Sequence, residues 1–154
     1  MFLPATAPQP PTRRIAAPGH ASPLLTAWPG VHIGSVEVRR VQGRRHPRVT
    51  FSACIDLGEL LPVDVRVALV PPRGAGDTRE RRMFSVQSYA NGVFRFAASV
   101  NAALLRGSGA WIVRVAPAAE LAAGADVRPV VRHIVPRLGA RRDAPAQDGG
   151  ALTE

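Results

Sequence analysis

The clearest alternation in the chain is "RVTFSACIDL", residues 48–57. Val49, Phe51, Ala53, Ile55 and Leu57 fall on one face, and Thr50, Ser52, Cys54 and Asp56 on the other. A period of two marks a strand with one buried face. The same period returns from Val63 on, where Val63, Val65, Val67 and Leu69 alternate with Asp64, Arg66, Ala68 and Val70. Between the two runs stands "LGELLP", which cannot continue a strand: Gly58 is conformationally loose and Pro62 offers no N–H to a ladder. The expectation is a strand ending at Leu57, a corner from Gly58 to Pro62 with a short helical turn over Pro62 to Asp64, and a new strand from about Val65.

Other runs follow the same pattern. "HIGSVEVRRV" places Val36 and Val38 opposite Ser35, Glu37 and Arg39. "RMFSVQSY" and "VFRFAASV" flank Ala90-Asn91-Gly92, a hairpin signal because Asn91 and Gly92 both tolerate positive φ. "AWIVRVA" puts Trp111, Val113 and Val115 together, and "VRPVVRHIV" reads as a last strand, placed at a sheet edge by Pro129. "GRRHPR" and "PPRGAGDTRE" are polar or Pro/Gly-rich loops, "NAALLRGSG" is a connector with one helical turn, and "AELAAGAD" is a second such turn. About seven short strands with turn signals roughly every ten residues predict an all-β fold, an antiparallel sandwich of Ig-like size. The Cys…Trp…Cys pattern of antibody domains is absent, so that likeness is architectural.

Residues 1–29 hold seven prolines and little periodicity and read as a flexible, Pro-rich arm. Residues 137–154 combine Gly, Ala and charge and read as a disordered tail. The sandwich is expected over 30–136. A chain of 154 residues suffices for one such core, and with aromatics at only 5% that core must consist mainly of Val, Leu, Ile and Ala. The single cysteine, Cys54, excludes an intrachain disulfide and a Cys-rich metal site. The N-terminus has no unbroken apolar run of signal-peptide length, and there is no run of about 18 apolar residues for a membrane span. A soluble, cytoplasmic protein without membrane contact is expected.

The net charge is +9, and all 20 basic residues are arginine. With so much Ala, Gly and Pro, this is read as genomic compositional bias, which weakens charge as a sign of nucleic-acid binding. The four histidines, His20, His32, His46 and His133, are scattered over arm, strand start, turn and final strand, and none sits in a motif. Cys54 lies on an outward strand face with no His near it in sequence, and reads as a surface thiol. Nucleophile-elbow, Walker and zinc-protease motifs are missing. "GRRHPR" and "RERRM" are arginine clusters that could grip phosphate or RNA, but no aromatic platform accompanies either, so both read as solvated loops. Trp111 is assigned to the core by its partners Val113 and Val115. Trp28 and Tyr89 are placed for exposure, but two isolated aromatics define no site. No catalytic, cofactor-binding or metal-binding residue is assigned.

Several stretches resemble the C-terminal β-domain of the α-glucan (glycogen) phosphorylases of the actinobacterial type. "AWPGVHIGSVEV" (Ala27 to Val38) is similar to the segment that leaves their catalytic region. "LGELLPVDVRVALV" resembles their Leu-Gly-Gly-Leu-Ser/Thr-Pro-x-Asp-Val-x-Val stretch, with Gly58, Leu60, Pro62, Asp64, Val65 and Val67 matching. "GVFRFAASV" and "SGAWIVRVAP" fall where that family has two further strands, and Ser108, Gly109, Val113, Arg114, Val115 and Pro117 match the second. The resemblance covers roughly residues 27–136. In the family, Ser/Thr-Pro-x-Asp suggests a helix N-cap with Pro in the first position; here Leu61 replaces the capping hydroxyl, Glu59 the second Gly and Val63 the acid after the Pro. Ala110 and Ile112 stand in place of tyrosines, beside Trp111.

The resemblance implies an activity that this chain does not carry. A glucan phosphorylase holds pyridoxal phosphate as a Schiff base on lysine, within a catalytic part several hundred residues long, and this sequence has no lysine. The expectation is therefore a non-catalytic accessory domain without cofactor, in glycogen or maltodextrin metabolism. It would dock on a phosphorylase catalytic chain or touch α-glucan, or be a gene remnant. The alternative is an Arg-rich nucleic-acid or polyanion binder, whose affinity would fall steeply with salt.

Overall fold

The computed structural model describes residues 23–43, 45–74, 79–107, 109–118 and 127–137. The arm up to residue 22, the tail from 138 and the "AELAAGAD" turn lie outside the described residues. A short helix α1 (Pro23–Ala27) and one 3-10 turn (Trp28–Gly30) lead into eight strands. These are β1 (His32–Val41), β2 (Arg48–Asp56), β3 (Val65–Val70), β4 (Arg81–Arg82), β5 (Phe84–Ser88), β6 (Val93–Asn101), β7 (Trp111–Pro117) and β8 (Val130–Ile134). They form two antiparallel sheets, ordered β1-β2-β6-β5 and β4-β3-β7-β8. The architecture is an all-β sandwich.

The core follows from the pleat. Val49, Phe51, Ala53, Ile55 and Leu57 are all fully buried, with Val67, Leu69, Val113 and Val115 facing them from the second sheet. Phe51 and Trp111 meet across the sandwich with ring centroids 5.2 Å apart and planes tilted by 35°, close to the geometry aromatic pairs prefer. Along β1 the inward parity changes: Ile33 pairs with Ile55, but Val36 pairs with Ala53, so a bulge takes up one extra residue. That bulge lets Ile33, Val36 and Val38 all reach the core, although they do not share one period-two row.

Two expectations need revision. The packed body includes residues before position 30, in the stretch read as a flexible arm. Leu24 on α1 and Trp28 on the 3-10 turn are buried in the core, and the Trp28 indole N–H donates to the Arg128 carbonyl at 2.9 Å. Trp28 is therefore not an exposed aromatic. A large apolar ring with one polar atom gains most where the ring is covered and the N–H satisfied; the core covers the ring and the Arg128 carbonyl takes the N–H. Secondly, "RMFSVQSY" is divided. The segment pairs with β3 at Arg81 and Arg82, crosses at the buried Met83, and joins β6 from Phe84 on.

The corner between β2 and β3 agrees closely with expectation. Gly58 has φ of +59°, Pro62–Asp64 form a 3-10 turn, and β3 starts at Val65. Leu61 has the extended backbone of an N-cap but no acceptor side chain, and the Asp64 carboxylate instead accepts the Leu61 N–H at 2.8 Å. Asn91 and Gly92 take φ of +63° and +76° at the β5–β6 turn.

Candidate functional site

The titratable side chains that could do chemistry remain apart. His32 starts β1, with Nδ1 3.2 Å from the Gly30 carbonyl oxygen and Nε2 3.9 Å from Asp56. His46 lies in the β1–β2 turn and His133 on β8, and both are exposed. His20 lies outside the described residues. Cys54 points outward from β2, half-buried, opposite Arg95 of β6. Among the described residues no group of three His, Cys, Asp or Glu side chains could hold a metal ion.

The carboxylates on the sheet faces already have partners. Glu37 on β1 pairs with Arg39 at 3.1 Å and with Arg95 at 3.3 Å, the latter reaching over β2. On the other sheet Glu80 accepts from Arg66 and Arg114. These pairs are substantially exposed and tie strands side by side; exposed pairs are worth about 1 kcal/mol or less each.

Two surface features stand out. The first is the edge strand β5. All five of its residues are exposed, including Phe84 at 62% and Val86 at 60%, and Tyr89 follows at 40%. One edge of β5 pairs with β6, and β5 ends the sheet order, so among the described residues its other edge has no strand partner. Arg82 lies over the Phe84 ring, 5.5 Å from its centroid. Strand β8 is also an edge, as Pro129 suggested, and exposes Val131 and Val135. Its side of the sandwich is partly closed, because Arg132 donates to the Ile33 carbonyl of β1 at 3.4 Å. Sequence reasoning found β8 as an edge and missed β5. The available signal was the alternation that puts Phe84 and Val86 on one face, but without the crossover at Met83 nothing told which face would be covered.

The second feature is the end of the sandwich where the β1–β2 turn meets the β6–β7 connection. Register brings His46, Pro47 and Arg48 there beside Asn101 and Arg106, because Arg48 pairs with Asn101.

Fold and surface together define an all-β sandwich domain with a bare apolar edge and a basic end. The glycogen phosphorylase C-terminal domain model matches residues 28–133, and the chain belongs to that family. The match covers that family's C-terminal domain, and no catalytic domain was found. Comparison with curated proteins gave no match, and neither did comparison with solved structures. No helix of the described residues is long and apolar enough to cross a membrane.

Proposed function

We propose that this chain is a non-catalytic accessory module of the glycogen phosphorylase type. It acts in glycogen or maltodextrin metabolism by docking on a phosphorylase catalytic chain, with β5 as the docking strand. The observation that carries this reading is the exposed β5 edge, with Phe84 and Val86 uncovered, in a domain that belongs to the C-terminal family of a larger enzyme. An open edge offers unpaired backbone groups to a partner strand, and alternate apolar side chains supply selectivity. Direct contact with α-glucan has less support, since Tyr89 is the only large aromatic beside β5 with a hydrogen-bonding group, and its hydroxyl donates to Gln87 at 3.0 Å. The absence of lysine from all 154 residues supports a non-enzymatic role, because no Schiff base to pyridoxal phosphate can form on this chain. A cytoplasmic location accompanies the reading. The strand order also supports an Ig-like description, as β1-β2-β6-β5 and β4-β3-β7-β8 follow the A-B-E-D and C′-C-F-G orders of that architecture.

The test uses the purified chain with an immobilised phosphorylase catalytic chain, with amylose and with single-stranded RNA, at about 50 and 200 mM salt. Retention on the phosphorylase at both salt concentrations is expected. Retention on amylose alone would move the function to glucan contact, RNA retention that collapses at the higher salt would favour the polyanion reading, and retention on none would leave a gene remnant.

A further inference from the structure

The two ends of β2 carry opposite charges. Strand β2 runs from Arg48 to Asp56, about 27 Å at the usual rise per residue. At the Asp56 end lie Asp56 and the corner residues Glu59 and Asp64. At the Arg48 end the β1–β2 turn and the β6–β7 connection form a cleft of about 310 Å³ lined by Arg40, His46, Pro47, Asn101, Leu105 and Arg106, among others. An adjoining cleft shares His46 and Asn101 and adds Gly43, Arg45 and Arg48. No carboxylate lines either cleft.

The arginines here differ from those on the sheet faces. Arg39, Arg95, Arg66 and Arg114 are engaged with Glu37 or Glu80. Among the described residues Arg40, Arg45 and Arg106 have no ion-pair partner, and Arg48 donates only to the Ser99 carbonyl, at 3.3 Å. Holding like charges together without a counter-charge is unfavourable, and the backbone that holds them is braced. The Ala102 N–H donates to the Pro47 carbonyl at 3.0 Å, joining the two walls, and the Asn101 side chain caps the Ala103 N–H at 3.0 Å. Gly43 approaches the His46 carbonyl so closely that a Cβ would lie 2.4 Å from its oxygen, which pins the turn carrying Arg45 and His46.

We propose that this end of the sandwich is an anion site that takes a phosphate group between Arg40 and Arg106, with Arg45 and His46 at its rim. Guanidinium forks match phosphate oxygens in charge and in planar, paired hydrogen-bond geometry. The cleft suits one phosphate-bearing group with a small substituent, and Leu105 supplies an apolar wall for the latter. A free phosphate ester and the backbone of single-stranded RNA present the same group. None of Arg40, Arg45, His46 and Arg106 lies on β5, so variants at these positions test the site apart from the docking strand.

The experiment is titration calorimetry of the whole chain with inorganic pyrophosphate, and with a short single-stranded RNA, at about 50 mM salt. The site variant is Arg40→Ala/Arg106→Ala, with Arg40→Gln/Arg106→Gln as a second form that keeps side-chain bulk. The charge-matched control is Arg66→Ala/Arg128→Ala. Pyrophosphate binding that weakens roughly tenfold or more in both site variants and holds in the control is expected, since hydrogen bonds to charged groups carry that much. RNA that binds and is displaced by pyrophosphate would support the site and assign the phosphate to a nucleic-acid backbone. Pyrophosphate binding without RNA binding would support the site and assign it to a free phosphate ester. Absence of binding by both probes would overturn the proposal. So would equal losses in site and control variants, or RNA binding that pyrophosphate does not displace.

Discussion

Trp28 and Arg128 are joined by a hydrogen bond across a hundred positions of sequence, the indole Nε1–H donating to the main-chain carbonyl at 2.9 Å. It ties the entry of the domain to the connection that precedes its last strand. Replacing Trp28 by Phe keeps most of the buried ring and removes the donor, at an expected cost of about 1–2 kcal/mol. Trp28→Ala also opens a cavity beside Leu24 and should cost about 3–5 kcal/mol. A chain starting at residue 30 should be destabilised at least as much. Urea unfolding of the three variants gives the comparison, and a start at residue 30 that leaves the midpoint unchanged would show that the entry segment is not part of the core.

The two turns at the acidic end touch through glycine. The Leu57 N–H donates to the Gly92 carbonyl at 2.9 Å, and a Cβ on Gly92 would lie 2.2 Å from the Gly58 carbonyl oxygen. Gly58 also has positive φ, but a Cβ there meets nothing within 4 Å. Gly58→Ala should therefore cost only the left-handed backbone penalty of about 1–2 kcal/mol. Gly92→Ala should cost more, because the same penalty is joined by a backbone clash. The order of the two melting temperatures decides the matter, and equal values would mean that the turns separate freely.

Leu61 occupies a capping position without a capping atom, and it is 57% exposed, so little packing is lost on replacement. Leu61→Ser should stabilise the domain by about 0.5–1 kcal/mol by offering a hydroxyl to the turn. Asp64→Ala should cost about 1 kcal/mol, because the Leu61 N–H loses its acceptor. Thermal unfolding of both variants is a sufficient measurement; a lower melting temperature for Leu61→Ser would show that Asp64 already satisfies the turn.

If β5 is the docking strand, Phe84→Asp and Val86→Asp should abolish retention on a phosphorylase catalytic chain and cost stability only about 1 kcal/mol or less, the Phe84 variant losing its contact with Arg82. Val131→Asp on β8 is the control and should retain binding. Loss with the β8 variant alone would move docking to the opposite edge.

What was legible in the sequence follows from the range of the physics involved. The inward row of β2 could be read residue by residue, because the pleat imposes its period of two on any strand with one covered face. The corner at Gly58 to Asp64 and the Asn91-Gly92 turn were legible because Gly, Pro and Asn carry their backbone preferences with them. Trp28 was not, since a five-residue helix followed by a three-residue turn has no period to show. Nor was the crossover at Met83, because two residues on β4 cannot display a pattern. At the basic end "GRRHPR" was visible as a cluster, but its meeting with Arg106 depends on the register of β2 against β6, a long-range pairing that local sequence does not encode.

Met83 has a consequence for how the domain comes apart. Its N–H donates to the Val67 carbonyl of one sheet at 2.9 Å, while the next residue, Phe84, is already paired with Ala97 of the other. A single stretch of chain thus acts as a seam sewn through both layers. Neither layer can peel away and leave the other intact along that side, so loss of structure should run through the whole sandwich in one cooperative step.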